Sequence, residues 1–138
     1  MFDKPVNRAA IGVCVILQQA VGAGWYALFE SEWLEAIGKS ADDITMDTNT
    51  MAVALAIAAS LLSSWFIARL LVAFDAKGPA KGVTISVLLW IAVLLPYTAH
   101  HNAFAQLPTA LTMIDVGKDL VAYALTGAVL GAWPSSKN

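Results

Sequence analysis

The residues with the most scope for chemistry cluster late in the chain: His100 and His101, then Asp115, Lys118 and Asp119. Spacings of three and four put Asp115, Lys118 and Asp119 on one face of a helix, and Ala122 and Thr126 continue that stripe. A short connection brings the histidines near them. Imidazoles and carboxylates together are adequate ligands for a divalent metal such as zinc, or parts of a proton relay. A plainer polar network stands ahead of the metal site. Lys118 then simply pairs with Asp115 or Asp119, an exposed pair worth ~0–1 kcal/mol, and acids near a helix start are favoured by its dipole. Adjacent histidines also lack the four-residue spacing that lets one helix present both to a metal.

A second polar pair, Gln18 and Gln19, lies in the middle of an apolar run. Side-chain amides in hydrocarbon take partners from neighbouring helices, and Ser60, Ser63, Ser64 and Thr126 are available at comparable depth. Structural glue at roughly 0.6 kcal/mol per bond is the default, and a polar pathway for an ion or solute is the sharper alternative. Adjacent glutamines point about 100° apart on a helix, so they do not both line one narrow pore. Small residues four apart, Ala20 with Gly24 and Gly127 with Gly131, let backbones approach closely. If the Asp115–Thr126 stripe faces inward, the Gly127–Gly131 face is free to meet another chain, which makes a homo-oligomer an expectation beside intrachain packing.

The elements that carry these residues follow from hydropathy. Ala9 to Phe29 runs without a charge and closes on Gly24, Trp25, Tyr26 and Phe29, and about 20 apolar residues cross a hydrocarbon core ~30 Å thick. Lys4 and Arg8 before this run resemble a signal peptide's start. Its length and the central glutamines mark it instead as a retained first span. Three more spans follow, at about 51–73, 82–100 and 109–133. Between the first two, Trp33, Leu34 and Ile37 recur at helical spacing among Glu30, Glu32 and Glu35. This predicts a short amphipathic segment ending at Gly38, then a loop from Ser40 with capping residues Thr48, Asn49 and Thr50. Gly78-Pro79 predicts a tight connection that makes the second and third spans antiparallel neighbours. Pro96 should kink or open the last turn of the third span, and Pro108 suits the first turn of the fourth helix.

Composition agrees with this architecture. The 138 residues are 59% hydrophobic and 13% charged, against about 25% charged in soluble domains. Net charge is -2 with no basic cluster, so the footprint for nucleic acid is missing. Cys14 stands alone and reads as packing. No phosphate-cradling loop, paired-His zinc helix or nucleophile elbow is present. No histidine sits mid-span for haem and no lysine for retinal, so no cofactor is expected. Of the 8 Lys and Arg residues, Lys4, Arg8, Arg69, Lys77, Lys81 and Lys137 fall on one side, against Lys39 and Lys118. That bias puts both termini in the cytoplasm.

The run Gly24-Trp25-Tyr26-x-x-Phe29-x-x-x-Trp33-x-x-x-x-Gly38, with Ile114-Asp115-Val116-Gly117, Leu120, Gly127, Leu130, Gly131 and Trp133, resembles the DUF1761 family. The resemblance covers nearly the whole chain and implies a small, mostly bacterial membrane protein of unknown function. Lys118-Asp119 departs from that pattern, where an aromatic or His is expected. The expected fold is all-α, a four-helix transmembrane bundle with both termini cytoplasmic, in the bacterial inner membrane with the lipid bilayer as partner. The leading expectation for function is helix-mediated self-association or membership of a membrane complex. A small channel or transporter is the alternative, and an enzyme or metal binder using His100, His101, Asp115 and Asp119 is a third.

Overall fold

A computed structural model describes residues 4–133, with the backbone but not the side chains of 46–48. Lys137 and the 134–138 tail lie outside the described residues. The chain is all-α: α1 (Arg8–Leu28), α2 (Glu30–Ile37), α3 (Met46–Ala73), α4 (Pro79–Leu89), α5 (Leu95–Phe104) and α6 (Thr109–Ala132). A short 3-10 turn at Ala41–Asp43 precedes α3, and a π-helical turn at Trp90–Leu94 joins α4 to α5. Three helical stretches are long and apolar enough to cross a membrane: Arg8–Leu28, Asn49–Ala73 and the continuous Pro79–Phe104. α6 has 24 residues but carries Asp115, Lys118 and Asp119, a charge load that sets it apart from those three.

Local chemistry explains most boundaries. Asn7 caps α1 by accepting from the Ala10 amide at 3.0 Å, because the first-turn amides have no partner within the helix. Gly38 ends α2 at φ 67, while the Lys39 amide reaches back to the Leu34 carbonyl at 3.0 Å. The left-handed residue comes from glycine because it has no Cβ to clash. Gly78 turns the chain at φ 94 and Pro79 opens α4, proline's missing amide costing nothing there. α3, in contrast, starts at Met46, so Asn49 and Thr50 lie inside the helix and not in the loop before it. The Asn49 amide already donates to the Thr45 carbonyl at 3.1 Å. The side chain of Thr48 lies outside the described residues.

Pro96 acts one turn earlier than expected. It cannot donate to the residue four back, and its ring crowds that carbonyl. The helix widens at Trp90–Leu94, with the Leu95 amide donating to the Trp90 carbonyl, and then continues as α5. A widened turn ahead of a proline relieves the clash without ending the helix. His100 and His101 therefore sit within the last turns of α5 and not beyond its end.

α6 is the central element, touching α1, α3, α4, α5 and α2. α4 packs mainly on α6 and more lightly on α3, its neighbour across the short connection. The apolar core joins Ala10, Ile11 and Cys14 of α1 to Ile67, Ala68 and Leu71 of α3 and Leu130 of α6. Around it the usual order is inverted. Ser64, Ser86 and Thr126 are fully buried, while Ile16 is 70% and Leu62 66% exposed.

The glycine face of α6 is occupied within the chain. A Cβ built on Gly127 would strike the Gly82 carbonyl oxygen and the Ser86 hydroxyl, and one on Gly131 would strike the Gly78 carbonyl. The Gly78 amide donates to the Gly131 carbonyl at 2.9 Å. Only missing side chains let α4 and α6 come this close. Gly127 and Gly131 are thus used up intramolecularly and are not free to meet another chain. Ala20 and Gly24 face outward, and nothing lies within 4 Å of a Cβ placed on Gly24.

Candidate functional site

Two segments far apart in sequence meet where α1 leans on α6. The Trp25 indole Nε1 donates to the Ile114 carbonyl at 2.9 Å, and the Tyr26 hydroxyl donates to Asp115 Oδ1 at 2.7 Å. Trp25 packs closely on α6 because residue 117 is glycine: a Cβ there would come within 2.9 Å of the indole's Cζ2. From the other side, Trp90 at the start of the π turn donates its Nε1 to the Val116 carbonyl at 3.0 Å. Helix carbonyls retain a lone pair after their internal bond, so indoles can add to them without breaking the helix. Residues 114–117 are thereby gripped from α1 and from the α4–α5 junction at once.

The charges on this part of α6 are spoken for locally. Lys118 Nζ lies 2.7 Å from Asp119 Oδ1, with each side chain about a quarter exposed (26% and 23%), and 5.9 Å from the Tyr26 ring centroid. Asp115 takes the Tyr26 hydroxyl. A buried carboxylate needs such partners, since leaving one unpaired is costly. Tyr26 was absent from the residues expected at this site. Its signal was available, one aromatic hydroxyl at the boundary end of an apolar helix, but its partner across 89 residues was not.

A second polar knot lies deeper. Gln18 Nε2 sits 3.0 Å from Ser64 Oγ, 3.1 Å from Thr126 Oγ1 and 3.3 Å from Ser63 Oγ, tying α1 to α3 and α6. Gln19 donates to Ser60 Oγ at 2.7 Å and to the Ala56 carbonyl at 3.3 Å. Both amides thus turn toward α3, at different heights. Cys14 donates weakly to the Thr126 carbonyl across 3.8 Å.

The histidines join neither group. His101 stacks on Tyr97 with centroids 6.1 Å apart, and His100 packs against Phe104 at 4.9 Å. α5 meets α6 instead through Asn102, whose Nδ2 donates to Thr112 Oγ1 at 3.0 Å. Among the described residues no group of three or more His, Cys, Asp or Glu side chains is placed to hold a metal ion. The structure brings together Asp115, Lys118 and Asp119 with Tyr26, and separately Gln18 and Gln19 with α3, while His100 and His101 stay with their own helix.

Beyond α1, the acidic segment folds on itself. Tyr26 and Trp33 meet with ring centroids 5.4 Å apart across the α1–α2 bend. The Ser40 amide and hydroxyl both reach Asp43 Oδ2 at 2.8 Å and hold its carboxyl below the usual range. Ser31 does the same for Glu32 through its hydroxyl. Hydrogen bonds to the charged form favour ionisation, and both groups are fully solvated.

No curated protein and no solved structure matches the chain. Part of the pattern that carried the family resemblance, Trp25-Tyr26 and residues 114–117, interlocks at the α1–α6 junction. Residues 9–131 match the family described as "Protein of unknown function (DUF1761)", and the chain belongs to that family.

Proposed function

We propose that this chain is a four-span integral membrane protein of the bacterial inner membrane, with α1, α3, α4–α5 and α6 as its spans and both ends cytoplasmic, and that it works by helix-mediated association. The observation that carries the reading is the inverted burial: hydroxyls and amides point inward while Ile16 and Leu62 point out. In lipid this arrangement is favourable, because the exterior needs no water and interior polar groups find one another. Gln18, saturated by hydroxyls from two helices, supports a packed interior. The outward Ala20 and Gly24, with open space around Gly24, supply a shallow groove on α1 where a second copy, or another membrane protein's helix, can approach.

The test is the mass of the full chain in lipid nanodiscs. The wild type is expected to be oligomeric, and Gly24→Ile to give the monomer with helicity unchanged. A monomeric wild type, or an oligomer indifferent to Gly24→Ile, overturns self-association. A second reading, a small channel or transporter, is favoured by the polar residues lining α6 from Asp119 through Tyr123, which pairs with Ser63, to Thr126. Ion or solute flux in liposomes that Thr126→Val abolishes would select that reading over the first.

A further inference from the structure

The bend between α1 and α2 forms an open cavity of about 300 Å³, lined by Tyr26, Ala27, Glu30, Trp33, Leu34, Ala41 and Ile44. Its size reaches the lower end of small-ligand pockets. Its walls combine three features. The rings of Tyr26 and Trp33 pack on one another at 58°, and both residues border the one volume. Leu34, Ile44 and Ala27 make the remaining wall apolar. Glu30 places a carboxylate at the lining, and among the described residues no cation pairs with it. Aromatic faces carry negative potential, and one beside a carboxylate attracts an ammonium group, while an apolar wall accepts the alkyl chain attached to it.

The surroundings reinforce that sign. Glu32, Glu35, Asp42 and Asp43 share this segment with the single Lys39. Lys118 lies 5.9 Å from the Tyr26 ring centroid and is offset by Asp119.

We propose that this cavity binds an alkylammonium group, either the headgroup of an amine-bearing lipid or a free amphiphilic amine. The site stands whether or not the chain self-associates, since it is built from one subunit. An ammonium settles in the cavity against the Trp33 ring and Glu30, with its alkyl portion along Leu34 and Ile44. Loss of either the ring or the charge is expected to weaken binding about tenfold, as one cation–π or one partly exposed ionic contact warrants.

The test titrates hexyltrimethylammonium into the full chain in nanodiscs of phosphatidylglycerol, which carries no amine, with hexyl sulfate as the control of equal tail. Saturable binding of the cation alone, weakened about tenfold by Trp33→Leu and by Glu30→Gln, is the expected result. Glu30 is exposed, so its substitution leaves the helices intact and keeps the test valid if Trp33→Leu disturbs folding. Equal uptake of hexyl sulfate, or binding untouched by Glu30→Gln, overturns the proposal. Native mass spectrometry of protein from mixed phosphatidylethanolamine and phosphatidylglycerol separates the sources. Retained ethanolamine lipid that Glu30→Gln releases assigns a lipid headgroup, and binding of hexyltrimethylammonium without lipid retention assigns a free amine.

Discussion

The Tyr26 hydroxyl meets Asp115 Oδ1 at 2.7 Å, and this bond fastens the far end of α1 to α6 beside the Trp25 indole. The carboxylate would otherwise lie half-buried with Lys118 already committed to Asp119. Tyr26→Phe removes the donor and keeps the ring. A hydrogen bond to a charged group is worth about 1.5–3 kcal/mol, and a loss of that size is expected in unfolding titrations in detergent. The double variant with Asp115→Asn should recover part of it, because the neutral amide no longer demands a strong donor. A double variant as unstable as Tyr26→Phe alone would mean that the charge is not what Tyr26 satisfies.

Gln18 offers a different measurement. Gln18→Leu fills the same volume without an amide, freeing the hydroxyls of Ser63, Ser64 and Thr126. Hydroxyls on helices can turn back to their own backbone carbonyls, so the cost stays near 1–2 kcal/mol at about 0.6 kcal/mol per interhelical bond. Gln19→Leu should cost less, its partners all lying on α3. Equal losses for the two variants would contradict Gln18 as the three-helix tie.

The α4–α6 crossing has no slack. Gly127→Ala sets a methyl against the backbone carbonyl of Gly82, which cannot move as a side chain can. Overpacking of this kind costs about 1–3 kcal/mol, against a gain of up to about 1 kcal/mol from alanine's helix propensity. Gly12→Ala, where nothing lies within 4 Å, receives the gain alone. Thermal melts should therefore move in opposite directions. Gly131→Ile is expected to unseat α4 within one chain, not merely to separate two chains.

Pro96→Ala restores the missing donor and removes the reason for the π turn. A return to regular helix rotates everything after it by about 100° per residue of register, carrying Asn102 away from Thr112. Cysteines at positions 102 and 112, in a Cys14→Ser background, should cross-link with proline present and fail to do so with alanine. Undiminished cross-linking would show that tertiary packing, not Pro96, holds the widened turn.

Much of the helix plan was legible in the residues themselves. Charge-free runs mark α1 and the apolar parts of α3 and α4–α5, Gly38 marks the end of α2, and Gly78-Pro79 marks the start of α4. Each is a local matter, settled by side chains within one or two turns. The inward partners of Gln18 were also readable, because few polar groups exist at that depth. Which faces meet is another question. A helix apolar on every side gives no stripe to point inward, so nothing in the sequence told whether Gly127 and Gly131 face a neighbouring chain or α4. The close fit to Gly82 and Ser86 decided it. The same holds for Trp25, which lies on α6 only because Gly117 leaves room, and for His100 and His101, which the widened turn before Pro96 helps hold on a course of their own. Local propensity writes the helices. Their order in space depends on backbone distances of a few tenths of an ångström between residues up to a hundred positions apart, and such fits exist only once the chain has folded.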